Sequence, residues 1–81
     1  MFINKTSDGL NNICGKKVHN LRKDMGISQR EFAEKLQVYG LDMDKNAIQR
    51  IECGKRFVTD IEIKVLAEIL KVSVDNLISD K

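Results

Sequence analysis

Asp44-Lys45-Asn46-Ala47-Ile48-Gln49-Arg50-Ile51-Glu52-Cys53-Gly54-Lys55-Arg56 reads as one short helix with a start, a stop and two unlike faces. Asp44 is an N-cap residue, with a side-chain oxygen able to accept from first-turn amides that have no partner within the helix. Gly54 stands where helices end, so the helix is expected from Lys45 to about Cys53. Ile48 and Ile51 lie three apart and share one side. Lys45, Asn46, Gln49 and Arg50 are polar and fall on or near the opposite side. Such a face is either solvated, as on any amphipathic helix, or made to touch something polar.

Upstream, Ser28-Gln29-Arg30-Glu31 fits a capping box, in which Ser28 and Glu31 satisfy each other's backbone amides. It opens a helix whose apolar stripe is Phe32, Ala33 and Leu36. Before it, Val18, Leu21 and Met25 recur at helical spacing, predicting a helix from about Ile13 to Met25 that stops at Gly26. Val38-Tyr39-Gly40-Leu41-Asp42 breaks the pattern and reads as a loop. Downstream, Thr59-Asp60-Ile61-Glu62 is a second capping box, starting a helix to about Leu70 with Ile63, Leu66, Ala67 and Leu70 inward. Ser73 caps a short fifth helix, Val74 to Ile78. Five helices on short connections, with no strand-like alternation, predict an all-α domain over residues 13–81. Residues 1–12 are polar, lack periodicity and read as a flexible arm.

The 81 residues suffice for one small domain. No apolar run approaches the roughly 20 residues that span a bilayer, and the start lacks the order of a signal peptide. Cys14 and Cys53 have no partner at metal-ligand spacing, so neither metal nor cofactor is expected, and both read as reduced thiols of a cytoplasmic protein. No nucleophile, base and orienter cluster, and there is no glycine-rich phosphate loop, which argues against an enzyme. The net charge of +2 is unevenly spread: residues 1–40 and 44–57 are net basic, 58–80 net acidic. That asymmetry would orient the molecule towards a polyanion.

Three pieces then carry a resemblance. Gly26-Ile27-Ser28-Gln29 with Phe32-Ala33-Glu34-Lys35-Leu36 is one; Ile48 to Arg56 is the second; Leu70 to Ile78 is the third. In order and at compatible spacing they resemble the lambda-repressor and Cro-type helix-turn-helix family, the xenobiotic-response-element family, over about Gly15 to Ile78. The resemblance implies a compact five-helix, lambda-repressor-like domain that binds double-stranded DNA, as a repressor and a homodimer, with no small-molecule substrate. It implies base contacts by Lys45, Asn46 and Arg50, with Gln49 a lesser candidate. Gln29 would touch a phosphate and brace the recognition helix, and the Ser28-capped helix start would offer amides to the same phosphate. Lys55 and Arg56 would contact the DNA backbone, and Arg22 and Glu52 would form a buried ion pair. Read without the family, Gln29 is a good first-turn residue and Lys55 and Arg56 are dipole partners of the helix they follow. Base contacts suit the chemistry: Arg50 can bind guanine O6 and N7 bidentately, and Asn46 or Gln49 can do so for adenine N6 and N7.

One departure stands out. Family turns between the second and third helices run to about four residues, and here the Leu36-to-Ile51 spacing is about five longer, an excess assigned to Val38–Asp42. This extended turn could contact DNA or a protein. Tyr39 would stack on a base or cover the hinge, and Tyr39 with Leu41 would form the surface of an antitoxin-like or adaptor module, the alternative function. His19 reads as exposed and unremarkable, and Met25 and Met43 as gap-fillers. Any dimer interface would use helix five, its flanks or the arm, with Val74, Leu77 and Ile78 as candidates unless they pack in the core.

Overall fold

A computed structural model describes residues 9–79. It contains α1 (Gly15–Asp24), α2 (Gln29–Val38), α3 (Lys45–Glu52), α4 (Asp60–Leu70) and α5 (Val74–Ile78), and no strand among the described residues. The caps are those the sequence predicts. Ser28 and Thr59 form complete capping boxes with Glu31 and Glu62. Asp44 accepts from the Ala47 amide at 2.8 Å, and Ser73 from the Asn76 amide at 3.1 Å.

Helix α3 lies against both α1 and α2, α4 supports those two, and α5 closes on α4. Val18, Phe32, Leu36, Ile48, Ile51, Leu66 and Leu77 have no accessible surface. Burying a side chain of this size contributes about 1.5–3 kcal/mol, so these residues and their neighbours make up the stabilising centre. Met43 joins them as a filler, whereas Met25, expected on the inner face of α1, is exposed. Cys14 and Cys53 are both free thiols, Cys14 in the core and Cys53 exposed. Burial pushes the Cys14 thiol above its ordinary range.

Helix α1 begins two residues later than expected, and the reason is tertiary. Asn12 Oδ1 accepts from the Gly15 amide at 2.8 Å, while Asn12 Nδ2 donates to the carbonyls of Ile51 (3.1 Å) and Arg56 (2.7 Å). The start of α1 is thereby pulled onto the end of α3. A Cβ built on Gly15 would lie 2.2 Å from the Ile51 carbonyl oxygen, so only a residue without a side chain permits this approach.

The extended turn begins one residue later than the sequence suggests, because Val38 still belongs to α2, and residues 39–44 make the connection. Gly40, at φ 91°, donates to the Gln37 carbonyl, and the Leu41 amide donates to the Leu36 carbonyl, both at 3.0 Å. This is the left-handed helix ending that glycine adopts without steric cost. Gln37 Nε2 donates to the Met43 carbonyl at 3.1 Å, Leu41 packs on the core and Met43 is inside it. The added residues are thus tied at both ends.

Gly15→Ala should destabilise the domain by about 1–3 kcal/mol, the usual cost of forcing extra volume into a packed contact. Chemical denaturation of the two proteins measures this. Equal midpoints would show that α1 and α3 do not approach as closely as described.

Candidate nucleic-acid interface

Helix α3 divides its residues as its spacing predicts. Ile48 and Ile51 are fully buried, and Lys45, Asn46, Gln49 and Arg50 are all exposed. Among the described residues, no side-chain hydrogen bond or ion pair engages any of these four. The helix therefore presents two amides, an ammonium and a guanidinium with their donors unspent.

The end of α3 is anchored by Glu52, whose side chain is only 4% exposed. Its Oε2 accepts from Arg22 Nε at 2.6 Å, and its Oε1 accepts from Arg22 Nη2 at 3.0 Å, the bidentate fork that matches guanidinium to carboxylate. Arg22 Nη1 donates to the Ile27 carbonyl at 2.8 Å, in the turn before α2. His19 Nδ1 lies 2.8 Å from Glu52 Oε1, and Gln29 Nε2 donates to the same oxygen at 3.1 Å. One carboxylate on α3 thus holds two residues of α1 and the first residue of α2. Burial alone would raise the Glu52 carboxyl, but hydrogen bonds from Arg22, His19 and Gln29, with the Arg22 charge, outweigh it and hold the group below the ordinary glutamate range.

The residues expected at the DNA backbone fall into two groups. Ser28 and Lys55 are exposed, though the Ser28 hydroxyl oxygen already accepts from the Glu31 amide at 3.0 Å. Gln29 and Arg56 have partners inside the protein. Gln29 is on Glu52, and Arg56 donates to both carboxylate oxygens of Glu62, at 3.0 and 3.2 Å. Burial raises the Glu62 carboxyl, and hydrogen bonds from Arg56 and Thr59 with the Arg56 charge outweigh it, leaving it low. Tyr39 is exposed, and Leu41 is half-buried, packed against the core. Among the candidates for a subunit interface, Leu77 belongs to the core and Ile78 is exposed.

Two features escape a reading by periodicity. His19 is not a bystander but a partner of Glu52. Asn11 and Asn12, assigned by sequence to the arm, are bonded to the segment after α3: the Asn11 amide donates to the Gly54 carbonyl and its Nδ2 to the Lys55 carbonyl, both at 2.7 Å. The remainder of that expected arm, residues 1–8, lies outside the described residues. An Asn-Asn pair, each side chain both donor and acceptor, three residues before a glycine-started helix was the available signal.

Two helices joined by a turn, α2 and α3, with the second packed on the first and its polar side outward, are the arrangement of the helix-turn-helix class of DNA-binding domains. The chain belongs to the Cro/C1-type helix-turn-helix family, whose model matches residues 18–77, and it is a DNA-binding regulator of that class. No curated protein and no solved structure matches the chain. Among the described residues no group of three or more His, Cys, Asp or Glu side chains could hold a metal ion, and no helix is long and apolar enough to cross a membrane.

Because folding lowers the Glu52 pKa, its stabilisation is present above the ordinary glutamate value of 4.5 and is lost as pH falls through the lower folded value. Glu52→Gln leaves Arg22 without its counter-charge and should cost about 3 kcal/mol near neutral pH. The difference from the parent should shrink in acid, where Glu52 itself becomes protonated. Urea melts of both proteins from pH 7 to pH 3 test this, and a gap that stays constant across that range would contradict the assignment.

Proposed function

We propose that the domain is a sequence-specific repressor that binds a palindromic operator as a homodimer, with α3 as the recognition helix. The observation that carries this reading is the outer face of α3. Lys45, Asn46, Gln49 and Arg50 are exposed and unpartnered among the described residues, on a helix whose other side is sealed into the core. A major groove about 12 Å wide accepts such a helix, and side chains near its N-terminal half reach base edges. In this reading Arg50 takes a guanine edge, Asn46 and Gln49 take adenine edges, and Lys45 takes a base or the adjoining phosphate.

Phosphate contacts fall on the ends of neighbouring elements. At the capped start of α2 the Ser28 and Glu31 amides are spent inside the capping box, and the backbone amides of Gln29 and Arg30 are left for an anion. Gln29 spends one amide hydrogen on Glu52 and keeps another for a phosphate oxygen. Lys55 carries the contact after α3, while Arg56, held by Glu62, braces that segment. So few base contacts discriminate weakly in one copy, and two copies on half-sites about one helical turn apart supply the specificity of a repressor. In this reading the domain acts on its operator in the cytoplasm.

Selection of bound sites from random duplex DNA should return an inverted repeat. On that site Arg50→Ala should cost roughly 1–3 kcal/mol and relax one base position. Lys55→Ala should weaken all duplexes alike and flatten the salt dependence by about one unit of slope. Selected sites without base preference, or identical losses for the two variants on specific and random DNA, would remove α3 from the role of reader.

A further inference from the structure

His19 is the only histidine in the chain, and its side chain is 43% exposed. Its Nδ1 lies 2.8 Å from Glu52 Oε1 and 3.4 Å from Arg22 Nη2. A guanidinium nitrogen can only donate and an ionised carboxylate can only accept, so the two neighbours ask opposite things of Nδ1. The shorter contact decides. A bare Nδ1 lone pair at 2.8 Å from a carboxylate oxygen would be repelled, so Nδ1 carries the proton and donates to Glu52. The neutral ring therefore has an unprotonated Nε2, which among the described residues has no partner.

The ring stands near the start of α2, where the proposed function puts a phosphate. His19 Nδ1 and Gln29 Nε2 converge on the same Glu52 oxygen, at 2.8 and 3.1 Å, so the imidazole lies next to the first residue of α2. With only a lone pair on Nε2, the neutral ring repels a phosphate oxygen arriving there. A proton on Nε2 makes it a charged donor while Nδ1 keeps its bond to Glu52, so the ring need not move. The groups that set this balance are Glu52 from α3, Arg22 on α1, and Lys16 and Lys23 one turn to either side on α1. The neighbour from α2, Gln29, is uncharged.

Resting on the DNA reading above, we propose that His19 is a proton-dependent phosphate contact: His19 Nε2 of each protomer holds a proton more tightly when the duplex docks, so acidification tightens binding. Imidazole is the side chain whose charge changes near neutral pH. The neighbouring phosphate is an added anion that favours the charged ring, so DNA shifts its titration upward, and binding and proton uptake are coupled by linkage.

The chain's single histidine makes the test direct. NMR titration of the His19 ring, free and bound to a mixed-sequence duplex at low salt, should show a higher pKa in the complex. Affinity for that duplex should be about fivefold to tenfold greater per bound protomer at pH 6 than at pH 8, matching a rise of up to about one pKa unit. His19→Asn keeps a donor near the Nδ1 position and lacks Nε2. It should bind with little pH dependence. No duplex binding at either pH would overturn this inference and the DNA reading together. Binding with an unchanged His19 pKa, or a pH ratio that survives His19→Asn, would overturn the His19 role alone and leave α3 as reader.

Discussion

The arrangement depends on one buried carboxylate. Glu52 ends α3, and its two oxygens take hydrogen bonds from His19 and Arg22 on α1 and from Gln29 at the start of α2. Apolar packing alone would let α3 slide or roll on its neighbours, because hydrophobic attraction has no direction. A carboxylate with four donors around it does have direction. It sets where along its length α3 is held and which way its faces point. A buried ion pair is a weak source of net stability, since desolvation offsets much of the attraction, and its value here lies in geometry.

The same end of α3 is held from a second side. Asn12 and Gly15 bring the start of α1 onto the last carbonyls of α3, and Asn11 ties the following segment at Gly54 and Lys55. The bond to Ile51 satisfies an acceptor of the kind every helix end leaves open, and the others fix the segment that follows. They also leave the beginning of α3 free of such anchors except for its Asp44 cap, and that is the end from which base edges are reached. The rigid end is inside and the reading end is outside.

The extended turn shows how a fold absorbs added residues. A helix-turn-helix needs α2 and α3 at a defined angle, and a long slack connection would loosen it. Here α2 closes on Gly40, the chain returns through Leu41 and Met43 to the core, and Asp44 starts the next helix. What protrudes is Val38 and Tyr39, at the side of the hinge rather than between the helices. The length of the turn is therefore decoupled from the placement of α3.

Much was legible in the amino-acid order alone. Local chemistry writes the caps at Ser28, Asp44, Thr59 and Ser73, the stops at Gly26 and Gly54, and the split of α3 into Ile48 and Ile51 against four polar residues, because each depends on neighbours a few positions away. The Arg22–Glu52 pair was legible only through family resemblance. Neither His19 nor the Asn11–Asn12 strap could be read by periodicity, since their partners lie 33 to 44 positions away. The spending of Arg56 on Glu62, only six positions on, and of Gln29 on Glu52 was equally hidden, because the charge or amide of a side chain does not say what will stand beside it. Spacing determined the faces of the helices; only the folded packing decided which polar groups are used up inside and which remain for a partner, because hydrogen-bond capacity is allotted by distance in space.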